Sequence, residues 1–402
     1  MIIIEGFETA KLALSRQVST EFYEPPSELQ HGFKDAAGAD IALETAVRQI
    51  IDEVRRRGDA ALLDYELRFD GVELVSLEVS RAQVTKAYKE VAPELVEALK
   101  MAAERIRIFH SAQNESLIGV GTKRSPDQLI RPLERVGVYA PGGTAAYPST
   151  VLMTAIPAKV AGVKEVLLAT PPKAGGVVPP AVLVAADIAG VDRIFCIGGA
   201  QAIAALAFGT ETIHKVDKIC GPGNIFVVWA KKLVYGVVDI DGLQGPTEVM
   251  VIADGKANPG YCAADLLAQA EHDPLASATL ITTSRSLAEE VNRDVTRQLA
   301  SLERREIAAE SLENRGTIAV VGSIEEAIRL ANLYAPEHLS LMVDKAASYV
   351  PSVVNAGCVF VGEWAAVPIG DFVAGPSHVL PTGGTARFGS PLNVFDLSLI
   401  HI

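Results

Sequence analysis

Three of the seven histidines stand in chemically dense surroundings. In Gln269-Ala270-Glu271-His272, helical spacing would set Gln269 and His272 on one face, able to deliver two ligands to one metal. Glutamine is an uncommon zinc ligand beside His, Asp and Cys, and a helix-end histidine next to a solvated glutamine is the plainer reading. Glu337-His338 follows Tyr334-Ala335-Pro336 and precedes the apolar run 339–343. Proline disfavours helix at the residue before it, so the pair is expected on a loop entering a strand. A neighbouring carboxylate and imidazole can share proton transfer, but a lone dipeptide of this kind reads first as a surface ion pair. Asp371, in Gly370-Asp371-Phe372, and His378, in His378-Val379-Leu380-Pro381-Thr382, belong to a Gly/Pro-rich segment that reads as a functional loop. Gln269, His272 and Asp371 together form an N/O donor set short of a fourth ligand, suited best to zinc and acceptable to manganese or iron.

A second kind of chemistry is suggested by three glycine-rich turns: Tyr139-Ala140-Pro141-Gly142-Gly143, Ile197-Gly198-Gly199-Ala200-Gln201 and Gly221-Pro222-Gly223-Asn224. Such a turn between strand and helix lets backbone N–H groups approach an anion at the positive end of the helix. Any one of them can simply be a tight βα turn; three in one module favour a nucleotide or another phosphate ligand. None fits Gly-x-Gly-x-x-Gly, so a standard dinucleotide fingerprint is absent. Asn224 is placed to cap the helix that follows.

The elements that must position these residues alternate. Apolar strands are expected at 136–139, 165–170, 193–197 and 216–220, and again after Gly245 at 248–253, 278–283, 317–321, 339–343 and 358–361. Helical segments separate them, the pattern of parallel βαβ units covered on both faces. Before them, Val47, Ile50, Ile51 and Val54 fall on one helical face closed by Gly58. Ser80 caps a second helix and Pro93 opens a third. The first residues, with Pro25-Pro26, read as an arm.

Of the 402 residues, 49% are hydrophobic, and 36 Lys+Arg against 49 Asp+Glu leave a net charge of −13. This is a globular chain with core enough for two or three domains. The acidic balance disfavours nucleic acid, whose phosphates demand clustered cations. No apolar tract is long enough for a membrane span, no leader is visible, and the four scattered cysteines read as reduced core thiols, so a cytoplasmic protein is expected.

Taken in order, Arg135–Gly143, Gly198-Gly199-Ala200-Gln201-Ala202-Ile203, Gly221-Pro222-Gly223-Asn224 and Gly245-Pro246-Thr247-Glu248 resemble the motifs of histidinol dehydrogenase. Gln269-Ala270-Glu271-His272, Ala335-Pro336-Glu337-His338 and His378–Thr382 complete the set, from about residue 30 to Asp396. The resemblance implies a homodimeric, zinc- and NAD-dependent enzyme that oxidises L-histidinol through the aldehyde to L-histidine with two NAD. It implies Gln269, His272 and Asp371 as ligands of one zinc per subunit, the metal holding substrate, and Glu337 and His338 as the acid–base pair. His338 would take the alcohol proton and Glu337 would activate the water that attacks the aldehyde. Thr247, Gln269, His272, His338, Asp371 and His378 would contact substrate; Tyr139, Gln201 and Asn224 would contact NAD. A thiohemiacetal route through Cys262 is the rival chemistry, disfavoured because nothing basic adjoins that thiol.

The resemblance also implies two Rossmann-like parallel-sheet domains, one inserted in the other: an arm at 1–30, a discontinuous zinc and catalytic domain at 31–137 and 246–385, an inserted NAD-binding domain at 138–245, and the start of a tail at 386–402. The family continues with a helical tail that carries a further histidine ligand and an acidic substrate contact to the partner subunit. Here the chain stops at Ile402, and residues 397–402 depart from the family's continuation. They are expected to be an artefactual end on a truncated tail, and His401 is not taken as the missing ligand. A related zinc and NAD enzyme acting on another small polar alcohol, such as a sulfonated diol, an inactive fragment, and a non-catalytic nucleotide-binding protein remain the alternatives.

Overall fold

The computed structural model describes residues 1–16, 42–119, 129–142, 146–173 and 175–401. Pro25-Pro26, His31, Gly143 and Ile402 lie outside the described residues. The chain divides into two compact units: Met1–Ser19, Gln244–Asp371 and Leu380–Pro391 form the first, and Thr20–Leu243, Phe372–Val379 and Leu392–Ile402 the second.

The first unit is built on a six-stranded, all-parallel sheet in the order Ile2–Glu5, Gly316–Val320, Ser277–Thr282, Glu248–Ala253, His338–Met342, Cys358–Val361. Side chains alternate across a strand. Val249 and Val251 accordingly join one apolar cluster with Leu266 and Val291, while Met250 and Ile252 join another with Leu339, Leu341 and Ile328. Burial on both faces explains the continuous apolar runs. Residues 1–16 are not a free arm. Ile2–Glu5 pairs in register with Thr317–Val320, and the helix Phe7–Ala13 buries Ala10 in the second cluster. The β-branched run Ile2-Ile3-Ile4 supplies an edge strand that lies outside the strand–helix alternation and so escaped it.

The second unit carries a five-stranded parallel sheet, ordered Arg193–Cys196, Glu165–Thr170, Arg135–Tyr139, Lys218–Cys220, Asp239–Ile240. Strand order reverses between Arg135–Tyr139 and Lys218–Cys220. The carboxyl ends of the strands at such a switch point are where doubly wound sheets bind ligands. Helices Pro148–Ala161 and Pro180–Ala189 cover one face, with Gly199–Phe208 and Ile225–Val234 on the other.

The expected grouping of 31–137 with 246–385 differs from the contacts. Val47, Ile50, Ile51 and Val54 of the helix Leu43–Arg57 bury against Ile203 and Leu206, and Leu99, Ala103 and Ile106 of Pro93–Gly119 against Leu152 and Ile156. These stripes need an apolar partner, and the helices of the second sheet provide it. Ser80 caps Arg81–Glu90 through a reciprocal box with Gln83, and Gly58 at φ 55° ends Leu43–Arg57. Ser398–His401 pairs antiparallel with Leu129–Pro132. Among the described residues no helix is long and apolar enough to cross a membrane.

Candidate active site

Two adjacent strands of the first unit begin side by side: Glu248 opens one, His338 the other, with His338 in register with Val249. The helix Ile324–Tyr334 stops at Ala335, held at φ 54° ahead of Pro336, and the chain then enters the strand through Glu337. Glu337 and His338 are only 7% and 3% exposed, which removes the surface ion-pair reading.

Glu248 holds both through its backbone. Its N–H donates to Glu337 Oε2 at 2.8 Å, and its carbonyl accepts from His338 Nδ1 at 3.0 Å. Because a carbonyl only accepts, Nδ1 carries a hydrogen whether the ring is neutral or charged, which leaves Nε2 as the nitrogen able to exchange a proton. Thr247 Oγ1 donates to the same Glu337 oxygen at 2.6 Å and accepts a short contact from Gln269 Nε2. On the far side, His338 Nε2 lies 3.3 Å from Asp371 Oδ1. One chain of polar contacts therefore runs Gln269, Thr247, Glu337, His338, Asp371. Burial by itself would lower the His338 pKa, but the carboxylates of Glu337 and Asp371 outweigh it and hold it well above 6.5.

The supporting elements differ in part from those expected. The helix Pro259–Ala270 ends one residue after Gln269, so His272 lies in the turn beyond the helix rather than on its face; its N–H still bonds Gln269 O at 3.2 Å. Gln269 is 2% exposed and not solvated, whereas His272 is exposed. Asp371 sits in the short helix Val367–Phe372 and not in a loop. His378 is assigned to the second unit, with Nε2 3.5 Å from Thr150 Oγ1. Cys262 is fully buried, its Sγ 3.5 Å from Met342 Sδ, and burial pushes its thiol up to about 12.

In the second unit the proposed cofactor contacts gather at the carboxyl end of the sheet. Tyr139 ends its strand, and a Cβ added to Gly221, at φ 116°, would stand 2.1 Å from the Tyr139 carbonyl oxygen. Only glycine allows that approach. Asn224 Oδ1 accepts from Phe226 N and Val227 N, capping Ile225–Val234. The turn at Gly198-Gly199 is not an open anion cradle, however. Glu66 Oε1 accepts from Gly198 N at 3.1 Å and from Gln201 Nε2 at 3.0 Å, and Gly199 N donates to Tyr139 Oη at 3.1 Å. At Gly221, the N–H donates to Asp241 Oδ2 at 2.7 Å, and the carbonyl accepts from Lys231 Nζ at 3.0 Å. Acidic side chains of the protein thus take the places where free N–H groups were expected.

Glu66 was missed from sequence. It is wholly buried in a π-helical turn, Glu66–Asp70, and burial pushes its carboxyl up to about 7. An acidic residue inside an ordinary helical stretch gives no signal of this.

Parallel sheets covered on both faces, with a switch point in strand order, place the molecule in the doubly wound, ligand-binding α/β class. The family model for histidinol dehydrogenase matches residues 34–398. A histidinol dehydrogenase of Dehalococcoides mccartyi strain CBDB1 is 56% identical over 98% of this chain and 90% of its own length. That of Clostridium acetobutylicum is 52% identical over 87% and 82%. The crystal structure of histidinol dehydrogenase from Elizabethkingia anophelis superposes with a TM-score of 0.88 at 36% identity, covering 100% of this chain and 89% of that one. The chain belongs to the histidinol dehydrogenase family, NAD-dependent oxidoreductases of histidine biosynthesis.

Proposed function

We propose that the polar chain from Gln269 to Asp371 is where L-histidinol is held and deprotonated, with Glu337 and His338 dividing the two oxidations between them. The observation that carries this reading is the shared anchor at Glu248, whose one residue of backbone orients both members of the couple. His338 Nε2 takes the alcohol proton as the carbinol carbon gives up hydride. Glu337, oriented by Thr247, takes a proton from the water that adds to the aldehyde, and the hydrated aldehyde gives up the second hydride. Two NADH per histidine follow from that stoichiometry. Tyr139, Gln201 and Asn224 serve the NAD, and Thr247 and His378 contact substrate.

The donor chemistry fits a zinc ion. Among the described residues no three His, Cys, Asp or Glu side chains gather to hold a metal. Gln269 would supply an amide oxygen beside the imidazole of His272 and the carboxylate of Asp371, donor types that a borderline cation accepts. The glutamine lies in the last turn of Pro259–Ala270, where the helix dipole favours positive charge, three residues before His272. Gln269, His272 and Asp371 would hold the metal, one per subunit. When bound, zinc would fix the amino alcohol and take up the charge of Asp371 that otherwise faces His338. Family membership also supports a cytoplasmic homodimer whose sites are completed by the partner's C-terminal tail.

The test is metal content together with NADH formed per L-histidine produced. We expect about one zinc per chain, two NADH, and loss of turnover on chelation that zinc restores. Full turnover by metal-free protein would end the reading. Light scattering reads the dimer.

A further inference from the structure

We propose that Arg16 is a positioning residue for the Glu337–His338 couple, bracing from the N-terminal segment the two stretches of chain that present and hold it. Its Nη1 and Nη2 each donate at 2.7 Å to the two carboxylate oxygens of Glu248, and its Nε donates at 2.8 Å to the Tyr334 carbonyl. The guanidinium also stacks over the Tyr334 ring, 3.8 Å from its centroid.

Each contact falls at a consequential place. Tyr334 is the last residue of the helix whose exit, through Ala335 at φ 54° and Pro336, delivers Glu337 and His338. Glu248 is the residue whose N–H and carbonyl grip that couple. One rigid fork therefore fixes both the stretch that presents the couple and the stretch that grips it. Lysine's three donors radiate from a single nitrogen on a flexible stem, so it cannot reproduce the paired fork to both Glu248 oxygens while a separate N–H reaches the Tyr334 carbonyl.

Electrostatics point the same way. The Glu248 side chain is 8% exposed, and burial pushes its carboxyl up while the Arg16 charge pulls it back. Without Arg16, a buried carboxylate would stand next to Glu337 uncompensated, and the strand start would shift to relieve it. Space for the fork is provided by Gly384, at φ 83°, where a Cβ would come within 3.1 Å of Arg16 Cδ.

This proposal rests on the roles given above to Glu337 and His338, so the experiment keeps the two apart. In zinc-loaded enzyme, kcat and KM are measured from histidinol and, separately, from the aldehyde for R16K, R16A, E248Q and R16A/E248Q, with E337Q and H338Q alongside. Melting temperatures are recorded for all. We expect R16K and R16A to lose about tenfold to a hundredfold in kcat on both oxidations, as a displaced acid–base group does, with KM for NAD within about twofold of wild type. R16A and E248Q should be strongly non-additive, the double variant falling little below the worse single one. If R16A does not fold, R16K carries the test. Wild-type kcat in R16K or R16A while E337Q and H338Q are impaired overturns the positioning role. Wild-type kcat in E337Q and H338Q overturns the couple itself. A change in melting temperature with kcat intact assigns Arg16 to structure only, and so also overturns the proposal.

Discussion

Replacing Glu66 by glutamine should stabilise the protein above neutral pH and leave it nearly unchanged in mild acid. The glutamate is wholly buried, its Oε1 accepts from Gly198 N and Gln201 Nε2, and its carboxyl faces that of Asp70. Burial is the main cause that moves its pKa from 4.5 to about 7. A carboxyl whose folded pKa lies above its unfolded value favours folding most when protonated. Its contribution is complete below about 4.5 and is lost as pH rises through about 7. At about 1.4 kcal/mol per pH unit, the full loss is on the order of 3 kcal/mol, a ceiling because Asp70 shares the titration. Glutamine keeps the accepting oxygen and is neutral at every pH. Urea unfolding of wild type and E66Q at pH 5 and pH 8.5 reads the difference directly. The variant's advantage should grow by roughly 1–3 kcal/mol between those conditions. An advantage equal at both, or a variant weaker at pH 8.5, would refute the reasoning, since it would mean that Glu66 is already satisfied as an anion.

Further outcomes follow from the same contacts. Cys262→Ala should retain turnover within about threefold, at a stability cost of about 1 kcal/mol, because a fully buried thiol pushed up to about 12 is not a nucleophile. Near-complete loss of aldehyde oxidation in that variant would restore the cysteine route. Glu337→Gln should slow oxidation of the aldehyde by about a hundredfold or more while sparing the alcohol step by comparison; equal losses, measured from each substrate, would contradict the division of labour. Gly221→Ala, forced to φ 116° with its methyl carbon 2.1 Å from the Tyr139 carbonyl oxygen, should cost at least about 2 kcal/mol and raise the KM for NAD. A melting temperature and KM both at the wild-type value would show that the approach of those two strand ends does not matter.

Local rules made much of the framework legible before any coordinates. The proline at 336 marked where the helix had to stop, and Ser80 and Asn224 announced helix starts that the backbone N–H groups confirm. Continuous apolar runs located the inner strands because both sheet faces are covered. What escaped depends on partners far away in sequence. Ile2–Glu5 is a strand only because Thr317–Val320 offers it an edge, and the helices between 42 and 119 settle on the second sheet because their apolar stripes match it. Helical spacing placed Gln269 and His272 on one face, yet the helix ends at Ala270, a boundary set by the turn that follows. The roles of Glu248 and Arg16 were invisible for the same reason: one acts through its backbone, the other from a different part of the chain. No periodicity distinguishes a buried glutamate such as Glu66 from a solvated one.

The pairing of Ile2–Glu5 with Thr317–Val320 bears on how this molecule is made. The strand that leaves the ribosome ahead of every other described strand must wait until Gly316–Val320, the fourth of the sheet's six strands in chain order, has been synthesised before its edge exists. Closing so long a loop is slow, and it keeps an apolar, β-branched segment exposed during that interval. Because Arg16 follows on the same segment, its contacts with Glu248 and Tyr334 should be among the last features to mature.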